Sequence, residues 1–370
     1  MAQLRKAQST EMADIIRVAN TAFCPEREQG FDFQWVMPKA YKPGADTAKY
    51  HILAVEEGEI VALAGNLPGE VHVQNQIYPY AVVGTVSTLP SRQKKGYMKQ
   101  VMQGIEQDDL FSGVVFSALG GLRKRYNRYG YEKCSTTYTF DVGEYCLREY
   151  PPLDSVTLRL ADGSDLDALY ALYQSQSPAI YRAKQSFFDC LAFSRSLVYV
   201  VEQNGEIVGY FNVSSRKNGI YEVVLKDYAL LPHVFSAFFR IAECGSLNVS
   251  VSALNVPLIL ALDSFAESKS LCDGILIKVY DKKRFLQMLL SLNAPYLPQT
   301  AQEVICIDQT CYRITIDGDR CKVEEVALKN IPSYTAAQFV RWAISDGTNP
   351  LCKGSSIFPL RFGIDEADMF

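Results

Sequence analysis

A basic loop around Gly96 contains the residue types that bind a phosphate group. A glycine lets an anion approach the backbone without meeting a Cβ atom. Where such a loop leads into a helix, the first N–H groups have no intrahelical acceptor and the helix dipole is positive. We therefore predict that the N–H groups of residues 93–98 bind a pyrophosphate. The cations that would assist them are Arg92, Lys94, Lys95 and Lys99.

The flanking residues predict the elements that position this loop. Residues 82–88 are rich in β-branched side chains and predict a strand. Pro90 would end that strand because it has no N–H to donate, and residues 99–105 resume with helical spacing. Taken alone, the same stretch also fits an ordinary exposed basic loop. The residues predicted to contact the ligand are Val86, Ser87, Thr88, Gln93, Lys94, Lys95, Gly96, Tyr97 and Met98.

Two motifs in sequence order favour the ligand-binding interpretation. The spacing Gln93-x-x-Gly96 resembles the acetyl-CoA loop of the GNAT acetyltransferases, [RQ]-x-x-G-x-[GA], although Met98 replaces its small last residue. About thirty residues later, residues 126–131 read Y-N-R-Y-G-Y and resemble that family's second signature, Y-x-x-[FY]-G-[FY]. The resemblance implies acetyl-CoA as co-substrate, and it adds Gly121 and Leu122 to the expected contacts.

Composition narrows the class of protein. The chain has 370 residues, which predicts two or three domains, and its net charge of −4 disfavours a general nucleic-acid-binding protein. Ten cysteines without a C-x-x-C pair and three separate histidines predict no metal site, and we expect the cysteines to be reduced thiols. The longest apolar run, residues 256–262, is far shorter than the roughly 20 residues of a membrane span. We expect a cytoplasmic protein with no membrane partner.

The chain contains a diverged internal repeat. The residues after Arg5 and those after Arg159 each predict a strand end, a polar helix cap and an amphipathic helix, and residues 54–62 and 200–209 each predict a hairpin that turns at glycine. Hairpins in general look alike, which weakens the match. We predict an acetyltransferase domain over residues 1–150 and a degenerate copy over residues 151–273. The turn after residues 221–228 has no glycine and few cations, so this copy should not bind acetyl-CoA.

The remaining residues, 274–370, predict a third unit. A strand and a helix precede hairpin strands at 303–317 and 320–326 and a helix near 334–343. This order resembles a sterol-carrier-protein-like domain. Two acetyltransferase-like copies followed by such a domain resemble the enhanced intracellular survival (Eis) family of N-acetyltransferases, and the expected fold class is α/β (α+β). The resemblance implies a homo-oligomer, typically a hexamer.

The same resemblance implies a mechanism. Members of that family acetylate amines, often on aminoglycosides, with a tyrosine as general acid and the terminal carboxylate as general base. By motif, these are Tyr126 and the α-carboxylate of Phe370. Arg123, Arg125 and Arg128 are expected to favour the phenolate of Tyr126.

The acceptor side is predicted from mixed acids and aromatic rings. Residues 26–35 combine the two, and Asp32, Phe33 and Trp35 are the expected substrate contacts for a cationic amine, aminoglycoside-like, polyamine-like or lysine. A solvated loop pinned by Trp35 fits equally well. Three acids near the chain end would strengthen the negative field if the tail enters the site. They are Asp365, Glu366 and Asp368.

Two other functions remain open at this point. One is a long-chain acyltransferase similar to N-myristoyltransferase. The other is a sterol-carrier-like lipid-binding protein with a vestigial acetyltransferase domain. The cations around Gly96 argue against decay of the loop, but the sequence does not identify the natural acceptor.

Overall fold

The computed structural model describes residues 2–24, 31–109, 112–134, 137–176, 179–242, 244–272, 274–345 and 349–369, except for the side chain of Glu366. The strands are β1 Gln3–Lys6, β2 His51–Glu56, β3 Glu59–Val73, β4 Gln76–Thr88, β5 Phe116–Leu119, β6 Glu132–Cys134, β7 Thr137–Gly143, β8 Val156–Leu160, β9 Leu197–Gln203, β10 Glu206–Val213, β11 Gly219–Leu225, β12 Ser246–Ser252, β13 Ser268–Cys272, β14 Ile275–Val279, β15 Thr300–Ile307, β16 Thr310–Asp317, β17 Arg320–Val326 and β18 Ser333–Tyr334. The helices are α1 Met12–Phe23, α2 Phe33–Val36, α3 Pro38–Tyr41, α4 Tyr97–Glu106, α5 Arg123–Tyr126, α6 Leu166–Ser175, α7 Phe187–Leu191, α8 Leu231–Ala242, α9 Val256–Asp263, α10 Lys282–Asn293, α11 Ala336–Ala343 and α12 Glu366–Met369.

Two seven-stranded sheets share one strand order. The first runs β1-β2-β3-β4-β5-β14-β6, and the second, read from its β8 edge, runs β8-β9-β10-β11-β12-β7-β13. In each sheet the fourth and fifth strands are parallel, β4 with β5 and β11 with β12. The fold is thus mixed α/β, and both sheets have a parallel pair at the same position.

The two sheets also begin with the same local structure. In the first, Arg5 donates two hydrogen bonds to the carboxylate of Glu11, which closes a capping box at the start of the helical region. In the second, Arg159 binds Asp165 in the same way, again six residues later and again within a capping box. Each box satisfies N–H groups that the helix leaves without acceptors. The repeat in the sequence therefore corresponds to repeated geometry.

The first hairpin of each sheet turns through residues with positive φ. Glu57 and Gly58 have φ of 54° and 80°, and Asn204 and Gly205 have φ of 53° and 82°. Paired positive φ values are those of the tight turn that matches strand twist, and glycine adopts them without steric cost. The two hairpins predicted to turn at glycine are confirmed.

The sheets exchange one strand each, so the predicted boundaries at 150/151 and 273/274 do not follow them. Strand β7, before the first boundary, pairs with β12 and β13 in the second sheet. Strand β14, which we assigned to the third unit, lies between β5 and β6 in the first sheet. Alternating apolar residues specify that a strand has a buried face but not which sheet it joins, which is why the sequence did not show the exchange.

The last part of the chain packs on the first sheet. Strands β15 to β18 form a four-stranded sheet in the order β17-β16-β15-β18. Helix α10 contributes Phe285, whose ring lies 5.4 Å from that of Phe116 in β5, and Phe362 of the tail lies 5.6 Å from the same ring. The predicted helix near 334–343 is present as α11, and the first hairpin strand begins at Thr300, three residues earlier than expected.

One cysteine pair differs from the expectation of reduced thiols. Cys306 and Cys311 form a disulfide. They stand directly opposite each other in the β15–β16 hairpin, a register that brings their side chains together. In the part of the chain that the structure describes, no helix is long and apolar enough to cross a membrane.

Candidate active site

Strand β4 has an open edge where its parallel neighbour ends. Pairing with β5 covers only Tyr80 to Val82 of β4, yet β4 continues to Thr88. The pairing of β3 with β4 shifts register between Leu63 and Gly65, and Thr85 has φ of +53°, as in a bulge. We call the open edge of residues 83–88 the first cleft. It provides backbone groups that an extended ligand can bind.

The basic loop follows the first cleft and ends at the start of α4. Gly96 is the N-cap residue with φ of +83°, and no atom lies within 4 Å of the Cβ that another residue would carry there. Within the described residues, no acceptor is bound to the N–H groups of residues 94–99. The N–H of Gln93 donates to the carbonyl of Pro90 at 3.4 Å, so Gln93 is not one of the free donors that we predicted at residues 93–98. Helix α4 begins at Tyr97, two residues earlier than predicted.

Charged residues fix the beginning of this loop. Arg92 lies 3.2 Å from a carboxylate oxygen of Glu56 and 3.0 Å from one of Glu59, so it is held in place and is not the mobile cation that we expected. The hydroxyl of Tyr97 donates to Glu56 at 2.7 Å. Lys94 and Lys95 are exposed beside the free N–H groups. Lys99, in the first turn of α4, is exposed as well, so three of the four predicted cations remain to assist an anion at the loop.

The other predicted cofactor contacts lie around the same cleft. Met98 and Val86 are partly buried against the core beneath α4, so the Met98 side chain packs inward. The buried hydroxyl of Ser87 donates to the carbonyl of Thr85 at 2.9 Å. Thr88 lies opposite Ala62 of β3.

Tyr126 lies at the end of α5 with its ring buried beside Gly121. Gly121 has φ of +145°, and a Cβ there would lie 2.8 Å from a ring carbon of Tyr126, so this approach requires glycine. Leu122, next along the chain, is 67% exposed. Burial raises the pKa of the Tyr126 hydroxyl and Arg125 opposes part of that rise. The hydroxyl therefore keeps its proton at neutral pH.

Two of the three arginines expected to lower this pKa are engaged elsewhere. Arg123 forms a two-point ion pair with Glu132, which is itself nearly buried. The guanidinium of Arg128 lies 5.1 Å from the ring centre of Tyr129. Of the predicted group, only Arg125 acts on Tyr126.

The three tyrosines of the second motif have different environments. The hydroxyl of Tyr131 is 2.7 Å from that of Ser117. The hydroxyl of Tyr129 is buried and has no partner among the described residues. An unpaired buried hydroxyl costs stability, so the packing of the Tyr129 ring, and not its oxygen, holds that residue in place.

A buried hydrogen-bonded relay that the sequence analysis missed supports the bulge of β4. The hydroxyl of Tyr41 is 2.8 Å from Nε2 of His51 and 2.5 Å from the hydroxyl of Thr85. Nδ1 of His51 lies 3.0 Å from the carbonyl of Thr47, so Nδ1 carries the proton and Nε2 accepts from Tyr41. Burial lowers the pKa of His51 to about 4. The relay is neutral at physiological pH and fixes Thr85 in its bulge. A single histidine gave no signal of this in the sequence.

The predicted acceptor contacts do not converge as a group. Asp32 caps α2 by accepting from the N–H of Gln34 at 2.9 Å and also accepts from Asn20. Phe33 is buried in the core beside α1. Trp35 is half exposed, with the guanidinium of Arg195 at 4.0 Å from its ring centre. Residues 26–30 of the predicted acceptor segment lie outside the described residues.

The chain end is held by a buried ion cluster. Arg182 is fully buried and donates to both carboxylate oxygens of Asp368, at 2.7 Å and 3.0 Å, and to both of Glu222, at 3.1 Å and 2.7 Å. The hydroxyl of Tyr210 donates to Glu222 at 2.6 Å. Burial disfavours the charge, yet Asp368 and Glu222 hold the pKa of Arg182 well above its ordinary value. Asp368 is therefore held in an ion pair with Arg182 and is not a free carboxylate that could attract the acceptor, as we had expected.

Phe370, the predicted base, lies outside the described residues. Ala367 and Met369 next to it are buried, so the last described turn of the chain is packed inside the protein. Within the described residues no three histidine, cysteine, aspartate or glutamate side chains group as metal ligands.

Residues 3–134 match the model of the acetyltransferase (GNAT) domain. No curated protein matches the sequence significantly. The fold is similar to that of a GCN5-related N-acetyltransferase from Kribbella flavida, with 16% identity, a TM-score of 0.65 and coverage of 95% of this chain and 91% of that one. A conserved protein of unknown function from Enterococcus faecalis, described as a probable N-acyltransferase, has 13% identity, a TM-score of 0.65 and coverage of 100% and 95%.

Eis1 from Mycobacterium abscessus has 15% identity, a TM-score of 0.64 and coverage of 98% of both chains. At these identities the likeness establishes a shared fold over nearly the whole chain. The matched region contains the loop at Gly96, the motif at 126–131 and every strand of the first sheet except β14. Residues 3–134 thus match the acetyltransferase (GNAT) domain, within a chain whose fold is similar to that of these larger proteins over nearly its whole length.

Proposed function

We propose that the protein transfers an acetyl group from acetyl-CoA to an amine of a cationic small molecule, aminoglycoside-like or polyamine-like, or of lysine. The observation that carries the proposal is the row of free N–H groups at residues 94–99, placed directly after the open edge of β4. These donors and the start of α4 suit a pyrophosphate. The edge of residues 86–88 suits the extended arm of the same cofactor.

Tyr126 is the proposed general acid. A CoA thiolate has a pKa of about 8.5 and an ordinary tyrosine one of about 10, so proton transfer between them is uphill by roughly 2 kcal/mol. Burial raises the pKa of Tyr126 further. The hydroxyl is therefore protonated when needed, and its proton moves to the sulfur only as the C–S bond breaks and charge develops there.

The α-carboxylate of Phe370 is the proposed base, because the tail beside it is anchored. An ammonium must lose a proton before it can attack a thioester, which for a lysine-like amine costs roughly 4–5 kcal/mol at pH 7. A carboxylate is a weak base, so it acts best by orienting the amine and receiving the proton through water. The bidentate contact of Arg182 with Asp368 lies two residues from the terminus and would restrict the position of this carboxylate.

The second sheet is proposed to be a degenerate acetyltransferase copy. Helix α8 follows β11 through residues 226–230, and that connection has no glycine and no counterpart of the Gly96 loop. We propose further that the third unit is sterol-carrier-like and that the protein is a homo-oligomer, a hexamer by resemblance. Light scattering tests the assembly, and a monomer would contradict it.

The test of function is an acetylation assay with acetyl-CoA and a panel of aminoglycosides, polyamines and lysine peptides, read by product mass. We expect a gain of one acetyl group or more on at least one cationic amine. A mass gain only from long-chain acyl-CoA would favour a myristoyltransferase-like enzyme. Binding of lipid without any transfer would favour the lipid-binding alternative, which the intact donors of residues 94–99 disfavour.

A further inference from the structure

The bulge of β4 turns two consecutive side-chain positions to the same face of the first sheet. Among the described residues, a Cβ at Gly84 would meet only a methyl carbon of Met37, at 3.8 Å. The hydroxyl of the next residue, Thr85, lies 4.0 Å from the sulfur of the same Met37, which packs with α1 in the core on that face. Because Gly84 has no side chain, the first cleft has room for a small ligand group beside the Thr85 hydroxyl.

Tyr126 lies on the opposite face of the same sheet. Its ring packs in one cluster with Val83 of β4, beneath α4, whereas Thr85 contacts Tyr41 on the α1 side. A thioester bound along the open edge of β4 would therefore have the proposed acid on one face and the Thr85 hydroxyl on the other. An amine that attacks from the α1 face would approach Thr85.

The hydrogen bonds behind Thr85 fix the direction of its hydroxyl. Nδ1 of His51 donates to the carbonyl of Thr47, so Nε2 accepts, and the one hydrogen of the Tyr41 hydroxyl goes to Nε2 at 2.8 Å. The contact of 2.5 Å between the oxygens of Tyr41 and Thr85 also needs a hydrogen, which Thr85 must supply. The sulfur of Met37 is a much weaker acceptor. The Thr85 oxygen therefore has lone pairs to offer a ligand but no hydrogen.

The second sheet does not contain this relay in its described residues. In the first sheet, His51 stands opposite Gly65, where a Cβ would lie 3.1 Å from Nε2 of the histidine. Counted from the glycine of each hairpin turn, the corresponding pair in the second sheet is Val198 opposite Asn212. The same strands thus form without a histidine at this position, so the fold alone does not explain the relay.

We propose that the Thr85 hydroxyl accepts a hydrogen bond from the amine that attacks acetyl-CoA, and that this acceptor is a primary amine. The inference rests on the proposed acetyl transfer and adds a second contact for the amine to the proposed terminal carboxylate. As the C–N bond forms and the C–S bond breaks, one N–H proton leaves to the base and the Tyr126 proton goes to the sulfur. The other N–H stays in the amide product, and this is the one that Thr85 holds. A secondary amine has only the N–H that it loses.

The first experiment compares each primary amine that the wild type acetylates with its N-methyl derivative, for example putrescine with N,N′-dimethylputrescine, or a lysine peptide with its Nε-methyllysine counterpart. Thr85→Val keeps the shape of the side chain without the hydroxyl, and Thr85→Ser keeps the hydroxyl. Wild type and Thr85→Ser should prefer the primary amine at least tenfold in kcat/KM. Thr85→Val should lose most of that preference with unchanged affinity for acetyl-CoA. Equal preference in the two variants would overturn the proposal.

The second experiment tests the polarity of the relay. Proton–nitrogen correlation spectra at neutral pH should show the His51 proton on Nδ1, and a proton on Nε2 would reverse the relay and overturn the proposal. Tyr41→Phe removes the group to which Thr85 donates, so the Thr85 hydrogen can turn towards the cleft. This variant should lose the preference for primary amines as Thr85→Val does, again with unchanged affinity for acetyl-CoA. Native preference in Tyr41→Phe would contradict a role for the relay.

These outcomes separate the contact at Thr85 from the acetyl transfer on which it rests. If the wild type acetylates amines and Thr85→Val keeps the native preference for primary amines, Thr85 does not hold the amine and the transferase proposal stands. If the wild type acetylates no amine, the transferase proposal is wrong and the contact at Thr85 is wrong with it.

Discussion

The first cleft and its counterpart in the second sheet lie at the same place in the strand order but lead to different structures. The counterpart, the second cleft, is the gap where residues 221–225 of β11 and 250–252 of β12 continue as strands without pairing to each other. In the first, β4 runs past its parallel partner and leads to a loop with free N–H groups and two exposed lysines. In the second, β11 also runs past its partner, but α8 follows without such a loop. The comparison teaches that the open strand edge belongs to the fold, while the anion-binding loop is added by local sequence.

The side chains that brace the two clefts also differ. In the first, Tyr41 and His51 hold Thr85 through a neutral relay. In the second, Tyr210 binds Glu222, which is bound to Arg182 and through it to the tail. A neutral brace leaves the first cleft free for an anionic cofactor. In the second cleft, the charged contacts of Arg182 connect Glu222 of the sheet to Asp368 and so anchor the chain end.

The largest effect should come from Gly96→Asp. The substitution strains a residue at φ of +83° and places a carboxylate where the pyrophosphate should lie, so acetyl-CoA affinity should fall at least a hundredfold. Gly205→Asp is the matched control, since that residue has φ of +82° and equally open space in the second sheet. Calorimetry decides: equal affinities for the two variants would mean that the loop does not bind the cofactor.

The chain end should give the next largest effect. A carboxy-terminal tag replaces the terminal carboxylate by an amide, and deletion of Phe370 withdraws it by up to about 3.3–3.6 Å. Misplacement of a reacting group by about 1 Å can cost 10²-fold, so turnover should fall about a hundredfold while acetyl-CoA affinity stays unchanged. An amino-terminal tag is the control. Native turnover in the tagged form would exclude the terminal carboxylate as base.

Asp368→Asn tests whether the anchored tail positions the terminal carboxylate. The variant leaves Arg182 and Glu222 in place but weakens the contact that anchors the tail. We expect kcat to fall while the KM for acetyl-CoA is unchanged. The loss of stability should be smaller than the about 3–5 kcal/mol of a buried charge left unpaired, because Glu222 remains bound to Arg182. A loss of stability without a change in kcat of the folded fraction would show that the anchor is only structural.

Tyr126→Phe should lower turnover at least tenfold without changing acetyl-CoA affinity, because one hydroxyl supplies the proton to the thiolate. Tyr129→Phe is the matched control. Its hydroxyl is buried without a partner among the described residues, so its removal should be neutral or slightly stabilising. Steady-state kinetics compare the two, and a larger loss in Tyr129→Phe would assign the acid to the other ring.

The smallest effect concerns the pH dependence of the neutral relay. His51 has its pKa lowered to about 4 in the folded protein, so between that value and about 6.5 the unfolded chain binds more protons. The contribution of His51 is complete above about pH 6.5 and is lost as pH falls through about 4. From pH 7 to 5, wild type should lose about 2 kcal/mol more than His51→Gln in urea unfolding. Equal losses would mean that His51 is not held neutral.

The sequence predicted the parts of the fold that local rules determine. β-Branched residues predicted the strand, Pro90 predicted its end, and Gly96 predicted the loop before the helix. Matching helix caps and glycine turns predicted the repeat. The exchange of β7 and β14 between the sheets was not predictable, because partner choice depends on packing across the whole molecule. The boundaries at 150/151 and 273/274 missed it for that reason.

The site residues also fall into two groups, those that a local motif predicts and those whose partners are distant in sequence. Gly96 and Tyr126 were found because each stands within a motif, and the structure puts one at a helix start and the other against Gly121. Arg182 and His51 gave no signal, since each acts through partners distant in sequence. Conversely, Arg92 looked like a free cation only because Glu56 and Glu59 are far from it along the chain.

The most direct test of the central claim, that only the first cleft binds acetyl-CoA, is amide hydrogen exchange with and without the cofactor. The N–H groups of residues 94–99 have no acceptors in the described structure, so they should exchange fast alone and slowly with acetyl-CoA. Residues 226–231 of the second sheet should not change. Protection at 226–231, or none at 94–99, would contradict the account.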